Sequence, residues 1–296
     1  MNCWIIYDQK QYDHNKWFAD RLCEVCGQYF STTLILAERL TFGVQDGRTV
    51  FCYEGRFLPA PEAAVCRTIF PMLSYTLEMC GTRVFNNSTI SGICNDKRRT
   101  YGLVHSMGLP IMNTVFCDRR FFVPFSGTSR SESPTTALPS DYPVILKTAM
   151  GHGGREVFMI HDAAEHSAVV QSLPEDSFLL QKVLVPYGQD LRVFVLGGRI
   201  VCATMRTAPS FRSNHALGGV ASYYELNADE TALVNKIISG LPTVADLIGI
   251  DFLPCEGGLI FNEIEDVVGC RMIYETTDID IAVMYAEYIR AEIAER

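Results

Sequence analysis

Two apolar arms, Gly249-Ile250-Asp251-Phe252-Leu253 and Leu259-Ile260-Phe261-Asn262-Glu263-Ile264-Glu265-Asp266, flank a Gly257-Gly258 pair. Period-two alternation around glycines predicts a β-hairpin. Acids interrupt these otherwise apolar arms. Glu263 and Glu265 are two apart on a strand, so their carboxylates share a face. A turn over Glu256-Gly257-Gly258 sets Asp251 opposite Glu263 on that same face; a four-residue turn pairs Asp251 with Asn262 and sends it to the other side. Three carboxylates on one face repel unless a cation joins them, and hard oxygen donors favour Mg²⁺ or Mn²⁺. A solvated acidic face is the alternative, and the Ile, Phe and Leu neighbours speak against it.

The chain has 296 residues, enough for two ordinary domains or one large mosaic. Hydrophobic residues make up 48% and charged residues 20%, which excludes disorder, collagen and coiled coil as the main state. A formal charge of −9 argues against a nucleic-acid binder that neutralises many phosphates, but it allows a small anion held with a metal. No apolar stretch approaches a membrane span, so no membrane partner is expected. The start, Met1-Asn2-Cys3-Trp4, lacks a basic region, and no signal peptide is expected. The 11 cysteines are odd in number and scattered, as suits buried thiols in a reducing cytoplasm.

Along the chain, Trp4-Ile5-Ile6-Tyr7 reads as a strand. A helix follows, capped at Asp13, with Trp17, Phe18, Leu22 and Val25 at helical spacing as far as Gly27. Strands at 33–36 and 49–53 and a helix at 71–80 complete an α/β pattern with a parallel sheet over roughly the first 90 residues. A helix capped by Asn95 carries Leu103, Val104 and Met107 and stops at Gly108-Leu109-Pro110. Residues 124–141 read as a polar connection rich in Ser, Thr and Pro. Strands and glycine turns follow, with helices near 233–249 and 279–295.

Three further constellations carry charge. A strand, Val144-Ile145-Leu146-Lys147, delivers a lysine just before Gly151-His152-Gly153-Gly154, and glycines let successive N–H groups converge on a phosphate. Asp190 and Arg192 alternate along one arm of a hairpin turning at Gly197-Gly198. Phe211-Arg212-Ser213-Asn214 precedes Gly218-Gly219. Cys23-Glu24-Val25-Cys26 sits at a helix C-terminus, where a dipole does not activate thiols, and it reads as packing. Met72, Met79 and Met107 also read as core.

In this order and spacing, together with Asn86-Asn87-Ser88, Asn95-Asp96-Lys97 and Gln181-Lys182-Val183-Leu184, the motifs resemble the ATP-grasp superfamily, and within it the RimK-type ligases. The resemblance implies an α/β mosaic of three parts: an N-terminal parallel α/β domain (1–90), a central subdomain with the phosphate loop (91–185) and a C-terminal antiparallel-sheet subdomain with the metal site (186–296). It implies an ATP-dependent ligase that forms an amide through an acyl phosphate. Its substrates would be an amino acid of the glutamate type and a carboxylate or amine acceptor, such as a peptide or protein. Lys97 and Lys147 would reach the nucleotide phosphates, and Gly151, Gly153 and Gly154 would cover them. Gln181, Lys182, Val183 and Leu184 would meet adenine and Asp190 the ribose. Arg212, with Arg192 as a second candidate, would stabilise the transferred phosphoryl group. Asp251, Glu263 and Glu265 would hold Mg²⁺ or Mn²⁺. At 265 the family usually has Asn, so a nucleotide-binding module with reduced turnover is the rival reading. A dehydrogenase is excluded, since no Gly-x-Gly-x-x-Gly follows the first strand. Self-association is left open.

Overall fold

The computed structural model describes residues 1–121, 142–154, 156–184, 188–208 and 220–295. The expected connection at 124–141 and the Phe211–Gly219 constellation, Arg212 included, lie outside the described residues.

The chain opens with β1 (Asn2–Tyr7), α1 (Gln9–His14), α2 (Lys16–Cys26) and β2 (Ser31–Leu36). An antiparallel meander follows, β3 (Leu40–Gln45), β4 (Arg48–Tyr53) and β5 (Arg56–Leu58); then come β6 (Ala63–Cys66), α3 (Pro71–Met79) and β7 (Arg83–Phe85). Strands β2-β1-β6-β7 form one parallel sheet. Residues 3–7 of β1 are all buried, because a central parallel strand is covered on both faces. Cys3, Ile5 and Tyr7 pack with Phe18, Ala19 and Leu22 of α2, while Trp4 and Ile6 pack with Leu73 and Leu77 of α3. The expected parallel sheet is present. The strand at 49–53, however, belongs to the meander, and β6 takes its place in the parallel sheet.

Two caps differ from expectation. The helix with Trp17, Phe18, Leu22 and Val25 is α2, whose N-cap is Asn15 without a side-chain bond; Asp13 lies inside α1, which Asp8 caps by accepting from Gln11 N at 2.9 Å. Asp96, not Asn95, caps α5 (Lys97–Ser106), because Asn95 ends the preceding α4 (Ser88–Cys94). Met72 and Met79 are exposed, so they are not core.

A second, antiparallel sheet of order β10-β9-β11-β8 comprises β8 (Thr114–Asp118), β9 (Val144–Thr148), β10 (Val157–Ile160) and β11 (Ser177–Lys182), with α6 (Ala163–Ser172) between β10 and β11. Its core is separate: Cys117, Val144, Leu146, Ile160, Val170, Leu173, Phe178 and Leu180.

The third sheet, order β14-β13-β12-β15-β16, is antiparallel throughout: β12 (Gln189–Leu196), β13 (Arg199–Thr207), β14 (Val220–Tyr224), β15 (Leu247–Cys255) and β16 (Gly258–Glu265). Helix α7 (Ala228–Gly240) precedes β15, and α8 (Arg271–Thr276) and α9 (Ile281–Ala294) close the chain. The helix expected to run to 249 stops at Gly240, and Leu247 to Gly249 already belong to a buried strand. Strand β12 is buried on both faces: Phe194 and Leu196 join the core of the N-terminal sheet, α8 and α9, whereas Leu191, Val193 and Val195 join α4, α5 and α7.

Asn86, at the end of β7, ties the first sheet to the third. Its Oδ1 accepts from Asp246 N at 2.6 Å, and its Nδ2 donates to Leu247 O at 2.8 Å and Asp266 O at 3.2 Å. Buried Asp246 pairs with Arg83 at 2.6 Å and accepts from the Tyr288 hydroxyl at 2.7 Å.

Candidate active site

Each hairpin of the third sheet carries a bulge that decides which charges meet. In the β15–β16 hairpin, Cys255 pairs with Gly258 and Phe252 with Phe261, a register that would set Asp251 opposite Asn262. A bulge at Asn262 shifts the ladder by one, and Asp251 pairs with Glu263 after all. The turn is thus the four-residue one, and the bulge restores the shared face. In the β12–β13 hairpin, Val195 pairs with Ile200 but Phe194 with Cys202, so Asp190 pairs with Arg206 instead of Met205. Across the sheet, Thr204, Arg192, Asp251 and Glu263 form one continuous row.

Along that row two arginines neutralise part of the acidic charge. Arg192 Nε donates to Asp251 Oδ1 at 2.7 Å, and Arg192 Nη2 donates to Asp251 Oδ2 at 2.6 Å. The same Nη2 lies 2.8 Å from Glu265 Oε2. Arg206 donates to Asp251 Oδ2 at 2.6 Å and to Asp190 Oδ1. One oxygen each of Asp251, Glu263 and Glu265 lies within 4.8 Å of the others. Burial would raise the Asp251 carboxyl, but Arg192 and Arg206 outweigh it and hold the group below its usual range. Burial pushes Glu265 up to about 7 against the pull of Arg192, with repulsion from Glu263 and Asp251 adding to the rise. An all-oxygen set with excess negative charge fits Mg²⁺ or Mn²⁺, which would relieve that repulsion.

Beside this row, β9 of the second sheet and the N-terminus of α5 each supply a cation. Lys147, on β9, donates to Asn262 Oδ1 at 2.8 Å, and Lys97, the first residue of α5, lies 3.5 Å from Glu263 and donates to the Gly151 carbonyl. Burial draws the Lys147 amine down to about 8; Glu263 opposes that shift and Lys97 adds to it. Gly151 is required by close approach: a Cβ there would sit 2.1 Å from Thr148 Oγ1 and 2.2 Å from Glu156 Oε2. Gly153 and Gly154 have φ of +67° and +70°, the left-handed region that favours glycine.

Between the two sheets lies a cleft open to solvent. Lys97, Lys147, Gly151, Gly154, Gln181, Lys182, Val183, Leu184, Asp190 and Glu263 all line it. Gly153 adjoins it in sequence, and Asp251 and Glu265 stand beside Glu263. The Gln181 side chain is turned away to donate to Thr114 Oγ1 at 2.8 Å. Asp190 receives both Arg206 bonds on Oδ1. Arg192 is buried in the carboxylate row and does not line the cleft. Sequence reasoning missed Asn262 and Arg206 as site residues. The i, i+2 pair Thr204 and Arg206, facing Asp190 and Arg192 across the Gly197-Gly198 turn, was the available signal, but the bulge hid the register.

The family model of the RimK-like ATP-grasp domain matches residues 126–289. This chain belongs to the RimK-like ATP-grasp family. A probable alpha-L-glutamate ligase of Haemophilus ducreyi is 27% identical over 70% of this chain and 66% of its own length. The beta-citrylglutamate synthase B of Mus musculus is 24% identical over 96% of this chain and 76% of its own length. The ATP-grasp ligase PsnB, solved with a minimal precursor, Mg and ADP, superposes with a TM-score of 0.65 at 14% identity, covering 98% of this chain and 97% of that one. The mixed parallel and antiparallel architecture is therefore the ATP-grasp fold. By family the chain is an ATP-dependent ligase that forms carbon–nitrogen bonds. Among the described residues, no helix is long and apolar enough to cross a membrane.

Proposed function

We propose that this chain activates a substrate carboxylate with ATP and passes the acyl group to an amine, joining a glutamate-type amino acid to a small molecule, peptide or protein. The observation that carries the reading is the meeting of Lys97 and Lys147 with the Asp251–Glu263–Glu265 row in one cleft. A polyphosphate there meets amines and carboxylates together. Asp251, Glu263 and Glu265 would hold Mg²⁺, which supplies charge neutralisation at the phosphoryl oxygens. Lys97 and Lys147 bind those oxygens, and backbone groups of residues 181–184 meet the adenine. The second oxygen of Asp190, not engaged by Arg206, accepts from a ribose hydroxyl. Arg212 stabilises the transferred phosphoryl group, while Arg192 acts through the carboxylates it orients. Positioning and charge neutralisation suffice for this chemistry, so no protein nucleophile is needed. In this reading residues 1–90 form the N-terminal unit, 91–185 carry the phosphate loop and 186–296 carry the metal site.

The glutamate assignment rests on the two relatives, both of whose names contain glutamate. Purified chain with ATP, Mg²⁺ and an amino-acid and acceptor panel is expected to release ADP and phosphate with at least one pair; silence across a broad panel refutes the proposal. A binding module without turnover is the second reading. It is favoured by Glu265, whose carboxylate replaces the usual Asn and already engages Arg192. ATP binding by calorimetry without ADP formation would support it.

A further inference from the structure

Two successive residues of β16, Asn262 and Glu263, both line the cleft. In a regular strand such neighbours point to opposite faces. Phe261 and Ile264, on either side of them, are buried in one core although they are three apart. They share it because their partners Phe252 and Ile250 are two apart on β15, and the bulge takes up the extra residue. That extra residue is Asn262, and the reaction described above gives it no task.

Its side chain meets Lys147. The ammonium donates to Asn262 Oδ1 at 2.8 Å; among the described residues this is its one hydrogen bond, and it forms no ion pair there. A carboxylate is close at hand. Glu263 follows Asn262 in sequence and lines the same cleft. Burial draws the Lys147 amine down, and Glu263 is the carboxylate that most opposes this. Yet Glu263 pairs with Lys97, at 3.5 Å. Opposite charges in a poorly hydrated place attract strongly, and a closed pair would cancel both. A neutral amide oxygen occupies one of the three ammonium N–H groups and leaves the charge whole.

We propose that Asn262 is a positioning residue: it holds the Lys147 ammonium away from Glu263, keeping the amine for a polyphosphate and the carboxylate for a divalent ion. The inference rests on the nucleotide-binding part of the ligase reading. It adds the group that keeps two opposite charges of the site apart. An apolar residue at 262 would release the ammonium to Glu263.

A double-mutant cycle tests this through binding alone. AMPPNP and adenosine are titrated calorimetrically, with Mg²⁺ present, into the full chain as wild type, Asn262→Leu, Lys147→Ala and the double variant. Asn262→Leu is expected to lower AMPPNP affinity about tenfold, the worth of placing one charged hydrogen-bond donor. Adenosine, which has no phosphates, is expected to bind all four alike. In the Lys147→Ala chain, Asn262→Leu is expected to lower AMPPNP affinity no further, because the amine it places is gone. Additive losses would show that Asn262 acts without Lys147, and they overturn the proposal. So does equal weakening of adenosine and AMPPNP, the mark of a general distortion of β16, and so does an unchanged AMPPNP affinity. Should Asn262→Leu fail to fold, Asn262→Ser, which lacks the carbonyl acceptor, takes its place in the cycle. Coupling between the two positions with a silent ADP assay would remove the ligase reading and leave Asn262 in its role. ADP formation without coupling would do the reverse, and a wild type that binds no AMPPNP overturns both.

Discussion

Asn262 owes its place beside Lys147 to a single extra residue in β16, and that residue shows how little of the site depends on side-chain type alone. The acids at 251, 263 and 265, the lysines at 97 and 147 and the glycines at 151, 153 and 154 were legible, because residue types, order and spacing carry them. Arg206 was not: its partners Asp190 and Asp251 lie on two other strands. At this scale Lys147 and Glu263 are the sharpest probes. Lys147→Ala or Glu263→Gln is expected to lower ADP-forming turnover by roughly 100-fold or more, the usual effect of removing one charge-stabilising group, while far-UV circular dichroism stays unchanged. Wild-type rates in either variant would place the chemistry elsewhere.

Among elements, the strands and helices that alternation or caps describe were mostly legible, and those governed by packing were not. Strand β6, Ala-Ala-Val-Cys, carries no period-two signal, because it is covered on both faces. Helix α7 was extended too far, since the apolar residues after Gly240 fit helix and strand equally until β12 claims them. Helix α6 of the second sheet supplies a pH-dependent element. Its buried His166 accepts or donates at 3.1 Å to the Tyr142 hydroxyl, and burial holds the imidazole below its ordinary 6.5. The unfolded chain takes up a proton near that pH which the folded chain refuses until lower pH. The contribution of His166 to stability is therefore whole above about 6.5 and declines as pH falls below it. Urea titrations at about pH 7.5 and about pH 5.5 are expected to show a smaller loss for His166→Gln than for the wild type; equal losses would show that His166 does not contribute to the slope.

At the scale of the molecule, the first and third sheets share one core and are tied by Asn86 and by Arg83 with Asp246, whereas the second sheet has its own small core. Small separate cores open more readily than large ones. Hydrogen exchange is expected to run faster in β8 to β11 than in β12 and β15, and AMPPNP with Mg²⁺ is expected to slow it selectively in β9 and β11, which line the cleft. Uniform protection with no nucleotide effect would contradict a cleft between two separately stabilised sheets. The sequence by itself determined the chemical inventory and its order, because hydrophobic period, turn glycines and charged residues act through neighbours along the chain. Only the tertiary structure decided which charges face one another. Two one-residue bulges and the packing of three sheets set the cross-strand register, and a shift of one position moves a side chain to the opposite face.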